Sequence, residues 1–135
     1  MIRTILLIIS MFVLSIFFAS SCITAPSEED LYGIWHGEYH EMELLFIFNS
    51  DRTCSLSFKD SYSDDTDELR GTFETDFSKA PIPLSIRNIP QLTHGLYTII
   101  QFTDNNSIMM ADFSPRWRLR PISFQNNASM ILKRM

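Results

Sequence analysis

Period-two alternation of apolar and polar side chains is the feature that most constrains the fold of this chain. It is clearest over residues 69–77, where Leu69, Gly71 and Phe73 share one face and polar side chains occupy the other. A second alternating segment runs from Cys54 to Lys59. Because successive side chains of a β-strand point to opposite faces, this pattern predicts strands that are buried on one side.

Turn residues at 49–52, 64–68 and 103–107 separate the segments of strand character. The acidic run at 64–68 is predicted to be a solvated loop, and its spacing does not match a calcium-binding EF-hand loop. Short strands joined by hairpin-length loops predict an all-β domain, a small antiparallel eight-stranded up-and-down barrel, with a β-sandwich as the alternative. The predicted strands are 32–40, 43–49, 53–59, 69–77, 82–88, 95–102, 107–113 and 128–134.

The N-terminal segment has the layout of an export signal. An apolar run over residues 5–18 follows Arg3, and the small residues Ala19-Ser20-Ser21 lead into Cys22. The run is shorter than the ~20 residues that a membrane-spanning helix needs. A cysteine directly after small residues resembles the lipobox of bacterial lipoproteins, in which the thiol receives a diacylglyceryl group and becomes the new N-terminus.

This resemblance implies three parts: a lipoprotein signal peptide at 1–21, a lipid-anchored tether at 22–30 and a folded domain at 31–135. The protein is then expected in the cell envelope, attached to a bacterial membrane on its periplasmic or surface face. An ordinary cleaved signal is the alternative. If Cys22 is acylated, Cys54 has no partner and is predicted to be a buried strand thiol. A Cys22–Cys54 disulfide is the alternative if it is not.

The charge of the mature chain argues against a nucleic-acid partner. Removal of residues 1–21 from the 135-residue chain leaves 114 residues and takes Arg3 away. Ten basic and sixteen acidic side chains remain, a net charge of −6. Such a surface repels nucleic-acid phosphates and anionic lipid headgroups. We expect a monomer.

The mature domain resembles the lipocalins and, over residues 31–134, a lipocalin-like family of uncharacterised bacterial domains. Leu31-Tyr32-Gly33-Ile34-Trp35 is similar to the Gly-x-Trp opening of these proteins. The resemblance implies a small antiparallel barrel and no enzymatic activity. It departs at 103–107, where asparagines replace the usual glycine and aspartate. The further matching segments are Gly71-Thr72-Phe73, Lys79-Ala80-Pro81, Gly95-Leu96-Tyr97, Arg120-Pro121 with Phe124, and Lys133-Arg134.

The opening motif has a physical interpretation in such a barrel. Trp35 is expected to point into the barrel end, and Gly33 to leave space for the chain to cross the barrel floor. In lipocalins a basic residue of the last strand lies over this indole, and Arg134 is the candidate here. A solvated Arg134 at a frayed C-terminus is the alternative.

Motifs for catalysis and cofactor binding are absent from the sequence. It has no Gly-x-Ser-x-Gly motif and no glycine-rich phosphate loop, so we predict no catalytic residue, no cofactor and no enzyme. His36, Glu38 and His40 have ligand chemistry, but an inward Trp35 turns them to solvent, so no metal is predicted.

A basic and aromatic patch spans residues 116–120 (Arg-Trp-Arg-Leu-Arg). Its side chains could recognise an acidic partner or a lipid headgroup. Cross-strand pairing with the abundant carboxylates is the interpretation we favour.

The sequence supports two functions for an envelope lipoprotein. In the first, the barrel binds a small apolar ligand, with Phe58, Gly71 and Phe73 as contacts, because Gly71 is the one small gap among bulky inward side chains. In the second, the barrel core is filled, and the domain is a tethered interaction or inhibitor module for an envelope protein. An eight-stranded barrel is just wide enough for side chains to fill it.

Overall fold

The computed structural model describes residues 24–135. A short 3₁₀ helix, η1, precedes the first strand, and a second, η2, lies between the last two strands. The elements are η1 (Glu28–Leu31), β1 (Gly33–Tyr39), β2 (Met42–Phe48), β3 (Thr53–Asp60), β4 (Thr66–Thr75), β5 (Ile82–Arg87), β6 (Leu96–Asp104), β7 (Ser107–Ala111), η2 (Trp117–Leu119) and β8 (Ser129–Arg134).

The eight strands form a closed barrel in which each strand pairs antiparallel with the next along the chain. Pairing of β1 with β8, through Trp35 with Arg134 and His36 with Lys133, closes it. Closure gives every strand two neighbours and leaves no edge for uncontrolled pairing. The predicted all-β up-and-down barrel is confirmed.

Inward side chains fill the barrel. On seven of the eight strands at least one inward side chain is 0% exposed, and on β4 the inward Phe73 is 1% exposed. Side chains with no accessible surface leave no water-sized space around them, so the middle of the barrel is packed by protein atoms. The fully enclosed inward residues are Trp35, Phe46, Leu56, Leu84, Thr98, Ile100, Ile108, Met110 and Leu132.

The acidic run is shorter as a loop than predicted. β4 begins at Thr66, so the connection between β3 and β4 covers only 61–65, and the prediction of a loop over 64–68 is wrong for its second half. The reason is a cross-strand contact. Ser55 donates a hydrogen bond of 2.7 Å to Glu68, which also accepts from Arg70 at 3.0 Å. These contacts hold residues 66–68 in the strand pairing between β3 and β4.

The last residues of the predicted tether are folded onto the barrel end. Glu28, Glu29 and Asp30 form η1 together with Leu31, which is 0% exposed and plugs the opening. Glu28 accepts hydrogen bonds from Tyr32 at 3.1 Å and from Thr75 at 2.9 Å. The extended part of the described tether is therefore confined to residues 24–27.

The barrel is complete within the described residues. Its buried hydrophobic cluster runs from Leu31 to Leu132 and draws on every strand. The domain therefore closes and fills its core without the first 23 residues, and it is expected to fold when it is produced without them.

Candidate functional site

The predicted barrel-floor residues meet at the end of the barrel. Trp35 is buried, and its indole Nε1 donates a hydrogen bond of 2.8 Å to the carbonyl of Leu31. The guanidinium carbon of Arg134 lies 4.3 Å from the indole centroid. Gly33 has a φ of +128°, and a Cβ there would lie 3.1 Å from Arg134 Nη1. The positive φ favours glycine at position 33, and a Cβ there would also crowd the arginine. This cluster closes the floor beneath Trp35, and a hollow of about 430 Å³ lies beside it, between the tether and Ile82, Ile100 and Phe102.

The predicted ligand contacts lie in the packed interior. Phe58 stacks edge-on against Phe46 with 5.5 Å between ring centroids, and Phe73 against Phe48 with 5.1 Å. A Cβ on Gly71 would lie 2.5 Å from the carbonyl oxygen of Arg87 and 3.0 Å from the side chain of Ile89. The expectation of a cavity beside Gly71 is therefore wrong, because neighbouring backbone and side-chain atoms occupy that space.

Only one of the two cysteines lies among the described residues. Cys22, the predicted lipid anchor, lies outside the described residues. Cys54 is a free, buried thiol on β3, and burial raises its pKa to about 11. A thiol that stays protonated and enclosed is a poor nucleophile at neutral pH.

The histidines of the first strand do not form a ligand set. β1 ends at Tyr39, and His40 occupies the turn to β2 with a φ of +47°, so it no longer follows the alternation of His36 and Glu38. Across residues 24–135, no group of three histidine, cysteine or carboxylate side chains is placed to hold a metal ion.

On the outside of β5 and β6, outward-pointing side chains are buried instead of exposed. Ser85 and Ile99 point outward, yet they are only 8% and 4% exposed. The chain after β7 covers them. Ser114 pairs with Tyr97 through two backbone hydrogen bonds of 2.8 and 2.9 Å, and residues 115–122 then descend over the strands. We call this segment, 114–122, together with the strand surface beneath it, the outer flank.

Arg120 holds the outer flank in place. Its Nη1 donates to the carbonyls of Leu84 at 3.1 Å and Thr98 at 2.9 Å, and its Nη2 donates to Ser85 Oγ at 2.6 Å. Its guanidinium carbon also lies 5.5 Å from the Tyr97 ring centroid. Burial lowers the pKa of Arg120, because the charged form has lost water.

A cleft of about 700 Å³ opens between this segment and the connection from β4 to β5. Its walls combine proline and aliphatic surface with a few charged groups. Two of its carboxylates face basic side chains: Asp76 lies 3.7 Å from Lys79, and Glu74 lies 3.9 Å from Arg87. The lining residues of the cleft include Pro81, Pro83, Ile99, Trp117, Arg120, Pro121 and Ile122.

The outer flank presents large apolar side chains to solvent. Trp117, Leu119 and Ile122 are 62%, 64% and 89% exposed, and Arg118 lies against the Trp117 ring at 5.3 Å. Large exposed apolar side chains grouped in one place are typical of interaction surfaces.

The basic residues of the flank do not pair as expected. Within residues 24–135, the ion pairs join Arg52, Arg70, Lys79 and Arg87 to carboxylates, and none involves Arg116, Arg118 or Arg120. The favoured expectation of carboxylate pairing for this patch is wrong. Arg120 is satisfied by carbonyl and hydroxyl oxygens instead, while the other two arginines remain available to a partner.

Two apolar segments of the sequence indicate that the outer face of β5 and β6 is covered. Ile82-Pro83-Leu84 and Ile99-Ile100 are apolar without alternation, which indicates strands covered on both faces. What covers them follows only from the path of residues 114–122.

Comparison with known proteins adds no relative. No family model, curated protein or solved structure matches the chain. In the described part of the chain, no helix combines the length and the apolar character that crossing a bilayer requires.

Proposed function

We propose that this chain is a cell-envelope lipoprotein that acts, without catalysis, as an interaction module tethered by lipid on Cys22. The observation that carries the proposal is the filled barrel. With the interior occupied by side chains from all eight strands, recognition has to take place on the outside. The outer flank is the surface best suited to it.

The packed interior favours this function over that of an apolar-ligand carrier. Ligand sites are cavities of ~300–1,000 Å³. The site expected beside Gly71 is occupied by Arg87 and Ile89. The cleft beside Trp117 and Ile122 has a suitable volume, but it lies outside the barrel and is open to solvent.

A fatty-acid binding experiment tests the choice between module and carrier. We expect a fluorescent fatty acid to show no saturable binding to the purified domain, and native mass spectrometry to show no co-purifying lipid. Saturable binding that disappears in Phe73→Trp, which would crowd the interior, but persists in Trp117→Ala would refute the filled-barrel interpretation and restore the carrier.

The tether is tested separately by cell fractionation. The apolar run, the small residues and Cys22 support acylation, and diacylglyceryl attachment anchors stably because two chains bury many CH₂ groups at ~0.8 kcal/mol each. Cys22→Ala is expected to move the protein out of the membrane fraction, while Cys54→Ala, at the buried thiol, leaves it there. A Cys22→Ala protein that still sediments with membranes after a carbonate wash would contradict the anchor.

A further inference from the structure

We propose that the outer flank is the face that the domain turns toward an anionic lipid bilayer, with Trp117, Leu119 and Ile122 in the headgroup region. Arg116 and Arg118 would lie against the anionic headgroups. The inference deepens the proposed function, since it takes the lipid tether at Cys22 as given and names the partner of the outer flank.

The side-chain chemistry of the flank is that of an interfacial segment. Three exposed apolar side chains, one of them tryptophan, alternate with arginines over residues 116–122. Tryptophan favours the boundary between headgroups and acyl chains, and arginine near an anionic surface is attracted to it. Arg116 and Arg118 have no carboxylate partner among residues 24–135, so binding headgroups breaks no ion pair there.

The flank lies close to the point where the tether leaves the barrel. Ala25 and Pro26 line a hollow whose wall includes Lys79, Ala80 and Pro81. The same three residues form part of the wall of the cleft that contains Trp117 and Ile122. The tether and the flank therefore border a single loop from its two sides.

Chain geometry then limits how far the lipid can be from this loop. Three peptide links separate Cys22 from Ala25, and an extended chain spans at most ~3.6 Å per residue, so the two lie within about 11 Å of each other. A lipid on Cys22 brings the bilayer surface to the side of the barrel on which the flank lies.

The distribution of charge favours one orientation of the domain on an anionic bilayer. Residues 24–135 contain ten basic and sixteen acidic side chains, so most of the barrel surface is repelled by anionic headgroups. The acidic connection between β3 and β4, with Asp64 and Asp65, is at the opposite end of the barrel from η1, because consecutive strands run antiparallel. Residues 112–128 leave β7 and enter β8 at that same end, but Trp117 and Ile122 extend back along the barrel to the loop at 79–81, near the tether. Arg116 and Arg118, next to Trp117 in sequence, are attracted to the anionic surface, whereas Asp64 and Asp65 are repelled by it.

Tryptophan fluorescence can report this contact directly. The chain has two tryptophans, of which Trp35 is enclosed in the barrel and Trp117 is exposed. Residues 22–135 are coupled through Cys22 to a maleimide lipid in vesicles, which replaces the biological acylation. The buried Cys54 thiol, whose pKa is raised to about 11, does not compete at neutral pH.

With phosphatidylglycerol vesicles that contain brominated phosphatidylcholine, we expect quenching of the Trp117 emission, identified by its absence in Trp117→Phe. Arg116→Gln combined with Arg118→Gln should lower the ratio of docked to undocked protein by about 30-fold, which corresponds to ~1 kcal/mol for each charge. The matched control is Lys59→Gln combined with Lys133→Gln, two exposed cations away from the flank, which should retain the quenching.

Two outcomes would overturn the proposal. If Trp117 is not quenched on coupled anionic vesicles, the flank does not contact the bilayer, and a protein becomes the alternative partner. Equal quenching on purely zwitterionic vesicles, unaffected by loss of the two arginines, would show proximity without headgroup recognition. Because the coupling is chemical, neither outcome depends on whether cells acylate Cys22, which the fractionation experiment decides.

Discussion

The guanidinium of Arg134 lies over the indole of Trp35, with 4.3 Å between its carbon and the ring centroid. The same group donates to the carbonyl of Tyr32 at 2.8 Å and to the carbonyl of Asp30. Arg134, on the last strand, therefore holds together Trp35 of the first strand and the 3₁₀ helix η1. The closed end of the barrel depends on this contact.

Trp35→Ala is expected to destabilise the domain by about 3–5 kcal/mol, because it empties a large buried volume and removes the hydrogen bond to Leu31. Chemical denaturation of the variant measures the loss. Trp117→Ala, at an exposed position, is the matched control and should unfold close to the parent. A Trp35→Ala protein as stable as this control would contradict the role of Trp35 in closing the floor.

Arg134→Ala should cost about 1–3 kcal/mol, since it removes a cation–π contact and two hydrogen bonds to carbonyls. Arg134→Lys should recover only part of this, because an ammonium keeps the charge but not the fork that reaches both carbonyls. Thermal unfolding compares the two with Lys133→Ala, the exposed neighbour. Equal stability of all three variants would show that Arg134 is solvated.

Gly71→Ala is expected to lower the free energy of unfolding by about 1–3 kcal/mol, as overpacked positions do. Its Cβ would meet the Arg87 carbonyl, which is backbone and cannot move aside easily. Arg70→Ala, on the outward face of the same strand, loses only an exposed ion pair and serves as the control. Unchanged stability of Gly71→Ala would indicate free space beside the glycine.

Arg120→Ala should release the outer flank while the barrel remains folded. The variant loses three hydrogen bonds that tie residues 114–122 to β5 and β6, so this segment opens locally at low free energy. Trypsin cleavage after Arg116 and Arg118 is then expected to accelerate. The Arg87→Ala variant, which keeps these bonds, should be cleaved at the parental rate. Identical rates for Arg120→Ala and the parent would contradict the anchoring role.

Tyr39 should make folding stability fall at high pH. Burial first, and then the 2.5 Å hydrogen bond that it donates to Asp112, raise its pKa from 10.0 to about 12. Since the raised pKa belongs to the folded state, the stabilisation is complete below pH 10 and is lost as pH rises toward 12. In a spectrophotometric titration, Tyr39→Phe should remove a late ionisation. A late ionisation that persists in Tyr39→Phe would refute the assignment.

Most of the barrel could be predicted from the sequence because its determinants are local. Alternation indicates the strands at 53–59 and 69–77, turn residues separate the other segments of strand character, and eight short strands joined mostly by short loops favour closure. The strand at 69–77 illustrates the limit, since β4 starts three residues earlier. Its extension depends on Ser55 of the neighbouring strand, and a contact across the sheet leaves no trace in the local pattern.

The candidate site could be predicted only in part. The composition of residues 116–120 marked a basic and aromatic patch. Its partners depend on where the irregular connection 112–128 folds back, and periodicity does not describe irregular chain. Gly71 shows the opposite error. A glycine among bulky side chains suggested a gap, whereas the opposing backbone of Arg87 fills it.

The clamp formed by Arg134 also determines how the domain resists a mechanical load. A pull on residues 24–27 reaches β1 through η1, and β1 is hydrogen-bonded on both sides, to β2 and β8. Separating β1 from the barrel therefore requires that the hydrogen bonds of both pairings break. Because Arg134 also binds the carbonyls of Tyr32 and Asp30, it couples the segment between residue 27 and β1 to the last strand, so a load applied there is shared by β1 and β8.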